Sequence, residues 1–119
     1  MIVALSISPG ALKAIHVVYA NWCPHCIPTT VEPMKKAAAD LGIPCLLYDI
    51  DTEKEAEADE LVKKYGDWSE DYLIPQVFFE LADGSIKHVL TGYPEGVALT
   101  RRAVENILKG PQLNVPKGA

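Results

Sequence analysis

The stretch Trp22-Cys23-Pro24-His25-Cys26 contains two cysteines separated by two residues. It follows a short apolar run over 15–20, rich in β-branched residues and broken at Asn21, which is typical of a buried strand. The residues after it have helical composition, so the cysteines lie where a strand ends and a helix begins. The N-terminus of a helix presents unpaired N–H groups and a positive dipole end, and both favour a thiolate. We therefore expect Cys23 at the tip of a helix and Cys26 one turn later, placed to make and break a disulfide.

The length and charge of the chain limit the number of domains and the kinds of partner that we expect. It has 119 residues, which suits one domain with a real core, and we expect a single domain over 1–119. Its net charge of −5 argues against a nucleic-acid partner and against a basic membrane-binding patch. No stretch reaches membrane-spanning length, and the apolar segment 1–10 lacks the basic region of a signal peptide. The expected protein is cytoplasmic, with no nucleic-acid and no membrane partner.

Hydrophobic periodicity predicts alternating strands and helices. The expected ranges are strands at 14–20, 45–51, 76–81 and 86–90, with helices ending at 41 and 66 and a last helix over 95–109. Residues 1–7 either add an edge strand or cover the core, and the tail 112–119 is loosely held. The order β-α-β-α-β-β-α predicts an α/β fold, a three-layer α/β/α sandwich with a mixed four-stranded central sheet.

Prolines and cap signals refine the helices. Pro24 is compatible with a first turn, whereas Pro28 removes an early helix bond and predicts a kink. Capping boxes are expected at Thr29–Glu32 and at Thr52–Glu55. The side chains expected to face the core of the three helices are Val31, Met34, Ala38 and Leu41, then Leu61, Val62 and Tyr65, and finally Leu99, Ala103 and Ile107.

Several motifs together resemble the thioredoxin/glutaredoxin superfamily. Trp22 precedes the first cysteine, and Tyr19 stands four residues before it. Downstream, 74–79 (Ile-Pro-Gln-Val-Phe-Phe) resembles the cis-proline segment of the family, and 91–93 (Thr-Gly-Tyr) its glycine region before the last helix. The resemblance covers about residues 14–109. Because there is no room for a further strand and helix at the start, it implies the minimal, glutaredoxin-like layout.

The resemblance implies a protein dithiol–disulfide oxidoreductase. Cys23 would attack a substrate disulfide and Cys26 would resolve the mixed disulfide, so the redox-active Cys23–Cys26 disulfide replaces any cofactor. His25 would lower the pKa of the Cys23 thiol, and Pro24 and His25 together would tune the redox potential. The alternative is that His25 is an exposed helix residue with a modest effect on the thiol. The implied partners are protein disulfides and a reductase or thiol electron donor, acting on a monomer in cell redox homeostasis.

The substrate site is also implied by the resemblance. Pro75 would be cis, and the backbone at Ile74 would pair with an extended substrate like an added strand. Trp22 would shield the disulfide and line the substrate groove. The alternative for Pro75 is an ordinary trans proline that starts a strand.

The chain departs from thioredoxins at two buried positions. Val17 occupies the place of the aspartate that moves a proton for the resolving thiol, and Leu47 that of a lysine. The proton of Cys26 would therefore leave by another path, through water or His25. Glutathione use is unsupported, since the usual glutaredoxin residues are not present in full.

Two other function classes remain open on the sequence. One is a metal or iron–sulfur carrier of glutaredoxin-like fold, although two thiolates do not complete a tetrahedral site and no metal ligand is assigned. The other is a redox-inert binding module, against which the two intact cysteines argue. Cys45 is expected to be a small buried apolar residue. The loop 66–73 should lie beside Pro75, with Trp68 and Tyr72 either forming a lip or simply packing.

Overall fold

The computed structural model describes residues 11–110. The strands are β1 (Leu12–Tyr19), β2 (Cys45–Asp49), β3 (Gln76–Leu81) and β4 (Ile86–Thr91). The helices are α1 (Glu32–Leu41), α2 (Glu55–Tyr65) and α3 (Val97–Leu108), and a π-helical turn over Ile27–Val31 precedes α1. The predictions for 1–7 and 112–119 fall outside the described residues. Within residues 11–110, the predicted order of strands and helices is confirmed.

The strands form one mixed sheet in the order β2-β1-β3-β4. Strand β1 pairs with β2 in parallel and with β3 antiparallel, and β3 pairs with β4 antiparallel. The central strand β1 is almost continuously apolar because both of its faces are covered. The mixed four-stranded sheet is confirmed, and its central strand ends just before the two cysteines.

Helices cover both faces of the sheet. On one face, Met34 and Ala38 of α1 and Val104 of α3 pack with Val17 and Val77. The other face packs on α2, through the cluster Val18, Ala58, Leu61, Val62 and Phe78. The three-layer α/β/α arrangement is therefore confirmed, and it holds the end of β1 at the top of a packed core.

The helical segment after the cysteines differs from the prediction. Regular helix begins at Ile27, so Cys23 lies one turn before it rather than at its tip. Because Pro28 has no N–H, the carbonyl of Pro24 has no helical partner, and the Thr29 hydroxyl donates to it at 3.4 Å. The Thr30 hydroxyl donates to the His25 carbonyl at 2.8 Å. These bonds replace the predicted Thr29–Glu32 capping box and widen the segment into a π turn.

Three further predictions about the helices were wrong. Helix α2 begins at Glu55, and Thr52 does not cap it: its hydroxyl accepts from the Lys54 N–H and donates to the Asp49 carbonyl. Tyr65 and Leu99 are exposed rather than core residues. In α3, Ala103 and Ile107 pack against the core as predicted but are only partly buried, and the fully buried positions are Thr100 and Val104.

None of the helices between residues 11 and 110 is long and apolar enough to cross a membrane.

Candidate active site

Both cysteines of the Cys-Pro-His-Cys sequence lie in one tight turn that follows β1. The Cys23 N–H donates to the Ala20 carbonyl at 3.2 Å, and the Cys26 N–H donates to the Cys23 carbonyl at 3.0 Å. Both thiols are free, and they pack together against Ala20. The turn brings a pair of reduced sulfurs to the carboxyl end of the central strand.

The two cysteines differ in their access to solvent. Cys26 is fully buried, whereas Cys23 keeps 6% of its surface and lines an open groove. A cysteine at a helix tip would be exposed, but Cys23 is largely covered, and Trp22, Ile74 and Tyr93 line the groove around it. Cys23 therefore reaches the groove, and Cys26 lies beneath it.

Burial also separates the chemistry of the two thiols. Desolvation raises the pKa of the Cys26 thiol well above its ordinary value, and its contact with the Cys23 thiol raises it further. The backbone hydrogen bond with Ala20 lowers this pKa, by less than desolvation raises it. Cys26 is therefore held as a thiol at neutral pH, able to donate a hydrogen bond to a Cys23 thiolate.

The proline segment lies directly beside Cys23. The Ile74–Pro75 peptide bond is cis, as the resemblance implied. The Cys23 thiol lies 3.9 Å from the Ile74 carbonyl oxygen, to which it donates a long hydrogen bond. Ile74, Pro75 and the cysteine turn are thus brought together, although 51 residues separate Cys23 from Ile74 in the chain.

Gly92 completes the backbone around the cis proline. Its N–H donates to the Pro75 carbonyl at 2.8 Å. A Cβ at this position would lie 2.7 Å from the Ile74 oxygen and 2.8 Å from Pro75 Cδ, so no side chain fits. This close approach explains a glycine at 92 and fixes the loop that leads into α3.

A groove of about 340 Å³ opens at Cys23. Its walls come from three separate segments of the chain and are mainly apolar. The residues that line it are Trp22, Cys23, Pro24, His25, Tyr72, Leu73, Ile74, Gly92, Tyr93 and Pro94. Most of the predicted site residues are therefore neighbours, while Pro75 and Cys26 lie buried beneath them.

Trp22 stands at the rim of the groove. Its side chain is 68% exposed, and its Nε1–H donates to Asp51 Oδ2 at 2.8 Å. The hydrogen bond holds a large apolar surface beside Cys23 without burying it. Trp22 lines the groove, and sequence reasoning missed Asp51 as its partner.

His25 is half-buried and contacts the last helix. Its Nδ1 lies 2.8 Å from Oγ1 of the buried Thr100. Sequence reasoning did not single out Thr100, because this residue lies off the predicted inward stripe of α3. The ring is thus tied at one nitrogen on the wall of the groove.

The loop over 66–73 is held by a side chain that the sequence analysis also missed. Gln76 is fully buried, accepts from the Asp67 N–H, and donates to the Asp67 and Leu73 carbonyls. Gly66 packs so close to Gln76 that a Cβ would lie 2.5 Å from Oε1. The loop lies beside Pro75 as predicted, and it brings Tyr72 and Leu73 to the groove.

Metal ligands are sparse around the cysteines. Between residues 11 and 110, no group of three or more histidine, cysteine, aspartate or glutamate side chains is placed to hold a metal ion. The third cysteine, Cys45, starts β2 and packs against the core cluster below the sheet edge, and burial raises its pKa to about 11. A metal at Cys23 and Cys26 would need ligands from outside this range.

Comparisons with known proteins identify the architecture. No family model and no curated protein matches the chain. Among solved structures, the crystal structure of thioredoxin O1 from Arabidopsis thaliana in the oxidized state matches with a TM-score of 0.52 and 17% sequence identity. The match covers 84% of this chain and 78% of that one. Together with the sheet order and the cis proline, it shows that the chain has a thioredoxin-like fold.

Proposed function

We propose that the chain is a thiol–disulfide oxidoreductase that reduces protein disulfides with the Cys-Pro-His-Cys pair. One observation carries the proposal: two free thiols share a turn, and only Cys23 reaches a groove, beside the carbonyl of Ile74. A reaction in two steps needs this asymmetry, because the first sulfur must meet the substrate and the second must wait beneath it.

In the first step, the Cys23 thiolate attacks one sulfur of a substrate disulfide. The substrate S–S bond breaks as the mixed disulfide forms, and the leaving substrate thiolate takes up a proton from water. The Cys26 thiol stabilises the attacking thiolate by donating a hydrogen bond, and its raised pKa keeps it from reacting first.

In the second step, Cys26 loses its proton and attacks the sulfur of Cys23. The mixed disulfide breaks, the second substrate thiol leaves with a proton, and the Cys23–Cys26 disulfide forms. The substrate gains two electrons and the pair loses two. A dithiol reductant or a reductase must then return these electrons, so a thiol electron donor is part of the proposal.

The groove favours an extended, apolar substrate segment. Trp22, Leu73 and Tyr93 expose large apolar surfaces around Cys23. The backbone at Ile74 lies beside the attacking sulfur, where a substrate strand could pair with it. The net charge of −5 disfavours acidic partners at long range.

The test is insulin reduction with dithiothreitol as the electron donor. Cys23→Ser should abolish the catalysed rate, because no other thiol opens into the groove. Cys26→Ser should accumulate a mixed disulfide between Cys23 and the substrate, visible by mass spectrometry. The matched control is Cys45→Ser, which should keep the wild-type rate. Equal residual turnover in the Cys23 and Cys26 variants would contradict these roles.

The same samples distinguish a metal or iron–sulfur carrier from the proposed oxidoreductase. A carrier of metal or an iron–sulfur cluster would be isolated with bound iron or zinc that is lost in both Cys23→Ser and Cys26→Ser. The proposed oxidoreductase reduces insulin at full rate after treatment with a chelator. The cytoplasmic location, the monomeric state and the lack of a nucleic-acid partner stay predictions.

A further inference from the structure

The contact between His25 and Thr100 joins the cysteine turn to a helix 75 residues away in sequence. His25 lines the groove together with Cys23, and its Nδ1 lies 2.8 Å from the Thr100 hydroxyl oxygen. Since Nδ1 is taken by Thr100, Nε2 is the ring nitrogen left for another partner.

Thr100 itself is firmly held. Its side chain is fully buried in the first turns of α3, and its hydroxyl oxygen accepts a second hydrogen bond from the Tyr93 N–H at 2.9 Å. A threonine hydroxyl has one donor and two acceptor sites. The Tyr93 N–H uses one acceptor site, so the O–H remains available to donate to Nδ1 of His25.

That donor decides which nitrogen of a neutral His25 carries the proton. If the Thr100 O–H donates to Nδ1, Nδ1 has no hydrogen and the proton lies on Nε2. In the imidazolium form, Nδ1–H donates to the remaining acceptor site of Thr100 instead, and the ring need not move. In both charge states His25 then presents an N–H donor at Nε2.

We propose that Thr100 is a positioning residue that selects the Nε2–H tautomer of His25 and aims this donor at the Cys23 sulfur. This inference deepens the proposed function and rests on it. A donor aimed at Cys23 stabilises the thiolate, hence the reduced form of the pair. Thr100 therefore contributes to the redox equilibrium of Cys23–Cys26 although it touches neither sulfur.

The variants are Thr100→Val, which keeps the shape and removes the hydroxyl, and Thr100→Ser, which keeps the hydroxyl. The equilibrium constant of the Cys23–Cys26 pair is measured in glutathione buffers. Thr100→Val should shift it about fivefold toward the disulfide, the size of one lost hydrogen bond. Thr100→Ser should stay close to the wild type, and a valine variant that matches the wild type overturns the inference.

Repeating the substitution in a second protein background distinguishes a positioning role of Thr100 from a purely structural one. Because Thr100 also holds the Tyr93 N–H, the valine substitution could act through the loop rather than through His25. The Thr100→Val substitution is therefore repeated in a His25→Ala protein, where it should change the equilibrium constant by less than about twofold. An equal shift in both backgrounds assigns Thr100 a structural role and overturns the inference.

Nitrogen-15 NMR of the wild-type imidazoles tests the tautomer without any variant. Neutral His25 should give an Nε2–H pattern, and an Nδ1–H pattern would overturn the inference. If the wild-type pair forms no Cys23–Cys26 disulfide in the glutathione buffers, the proposed oxidoreductase fails. The NMR result then still decides whether Thr100 selects the tautomer of His25.

Discussion

At the scale of single residues, burial gives two chemically identical thiols different reactivity. Cys26 is fully buried and its pKa is raised, whereas Cys23 opens into the groove. The sequence allowed this pair to be found, because two cysteines spaced by two residues after an apolar strand are readable. It did not reveal Asp51 and Thr100, since the hydrogen bonds of Trp22 and His25 depend on side chains distant in the chain.

Alkylation of the reduced protein measures the difference in reactivity between Cys23 and Cys26. Iodoacetamide at pH 7 should label Cys23 at least about tenfold faster than Cys26, because burial keeps Cys26 protonated and inaccessible. Cys45 should also react slowly, since burial raises its pKa to about 11. Peptide mass spectrometry reads the three rates. In Cys23→Ser the fast phase should disappear, and fast labelling of Cys26 would show that the assignment of the two sulfurs is reversed.

At the scale of elements, the site is made where three loops meet above the sheet. The order of strands and helices was predictable from periodicity, and the cis form of Pro75 from the resemblance. The π turn was not, because Pro28 permits either a kinked α-helix or a wider turn, and the hydroxyl of Thr30 helps to decide between them. The most buried position of α3 was missed because it is a hydrogen-bonded Thr100 rather than an apolar side chain.

Substitution of Gly92 tests how closely its loop must approach Ile74 and Pro75. Gly92→Ala should destabilise the fold by about 1–3 kcal/mol and lower insulin reduction, because its Cβ would collide with the Ile74 carbonyl and Pro75. The matched control is Gly96→Ala, where a Cβ meets nothing within 4 Å. Urea unfolding and the insulin assay measure both effects. Similar stability for the two alanine variants would contradict the close packing at Gly92.

At the scale of the whole molecule, buried polar groups also stabilise the sheet far from the cysteines. His16 in β1 is largely buried, with Nδ1 at 2.7 Å from the Tyr48 hydroxyl and Nε2 at 2.8 Å from Glu80 Oε1. The hydrogen bond from His16, helped by nearby Lys13, lowers the pKa of Glu80. Neither partner of His16 can be read from the sequence, because the pairing of β1 with β2 and β3 creates both contacts.

This network predicts an acid-sensitive part of the stability. Because the folded pKa of Glu80 is lowered, its contribution is complete above the unfolded value of about 4.3 and is lost as the pH falls toward the folded value. Glu80→Gln should therefore cost about 1 kcal/mol at pH 7, and the difference from the wild type should shrink below about pH 4. The exposed Glu105→Gln is the control. A constant difference in urea unfolding from pH 7 to pH 3 would rule out the Glu80 linkage.

A redox titration of the wild-type protein shows whether Cys23 and Cys26 exchange two electrons with other thiols. The protein is equilibrated in buffers of oxidised and reduced dithiothreitol, quenched with acid, alkylated and weighed by mass spectrometry. We expect a single two-electron transition, in which Cys23 and Cys26 change from two alkylated thiols to one disulfide while Cys45 stays alkylated. Persistence of two free thiols at Cys23 and Cys26 in the most oxidising buffer would contradict it.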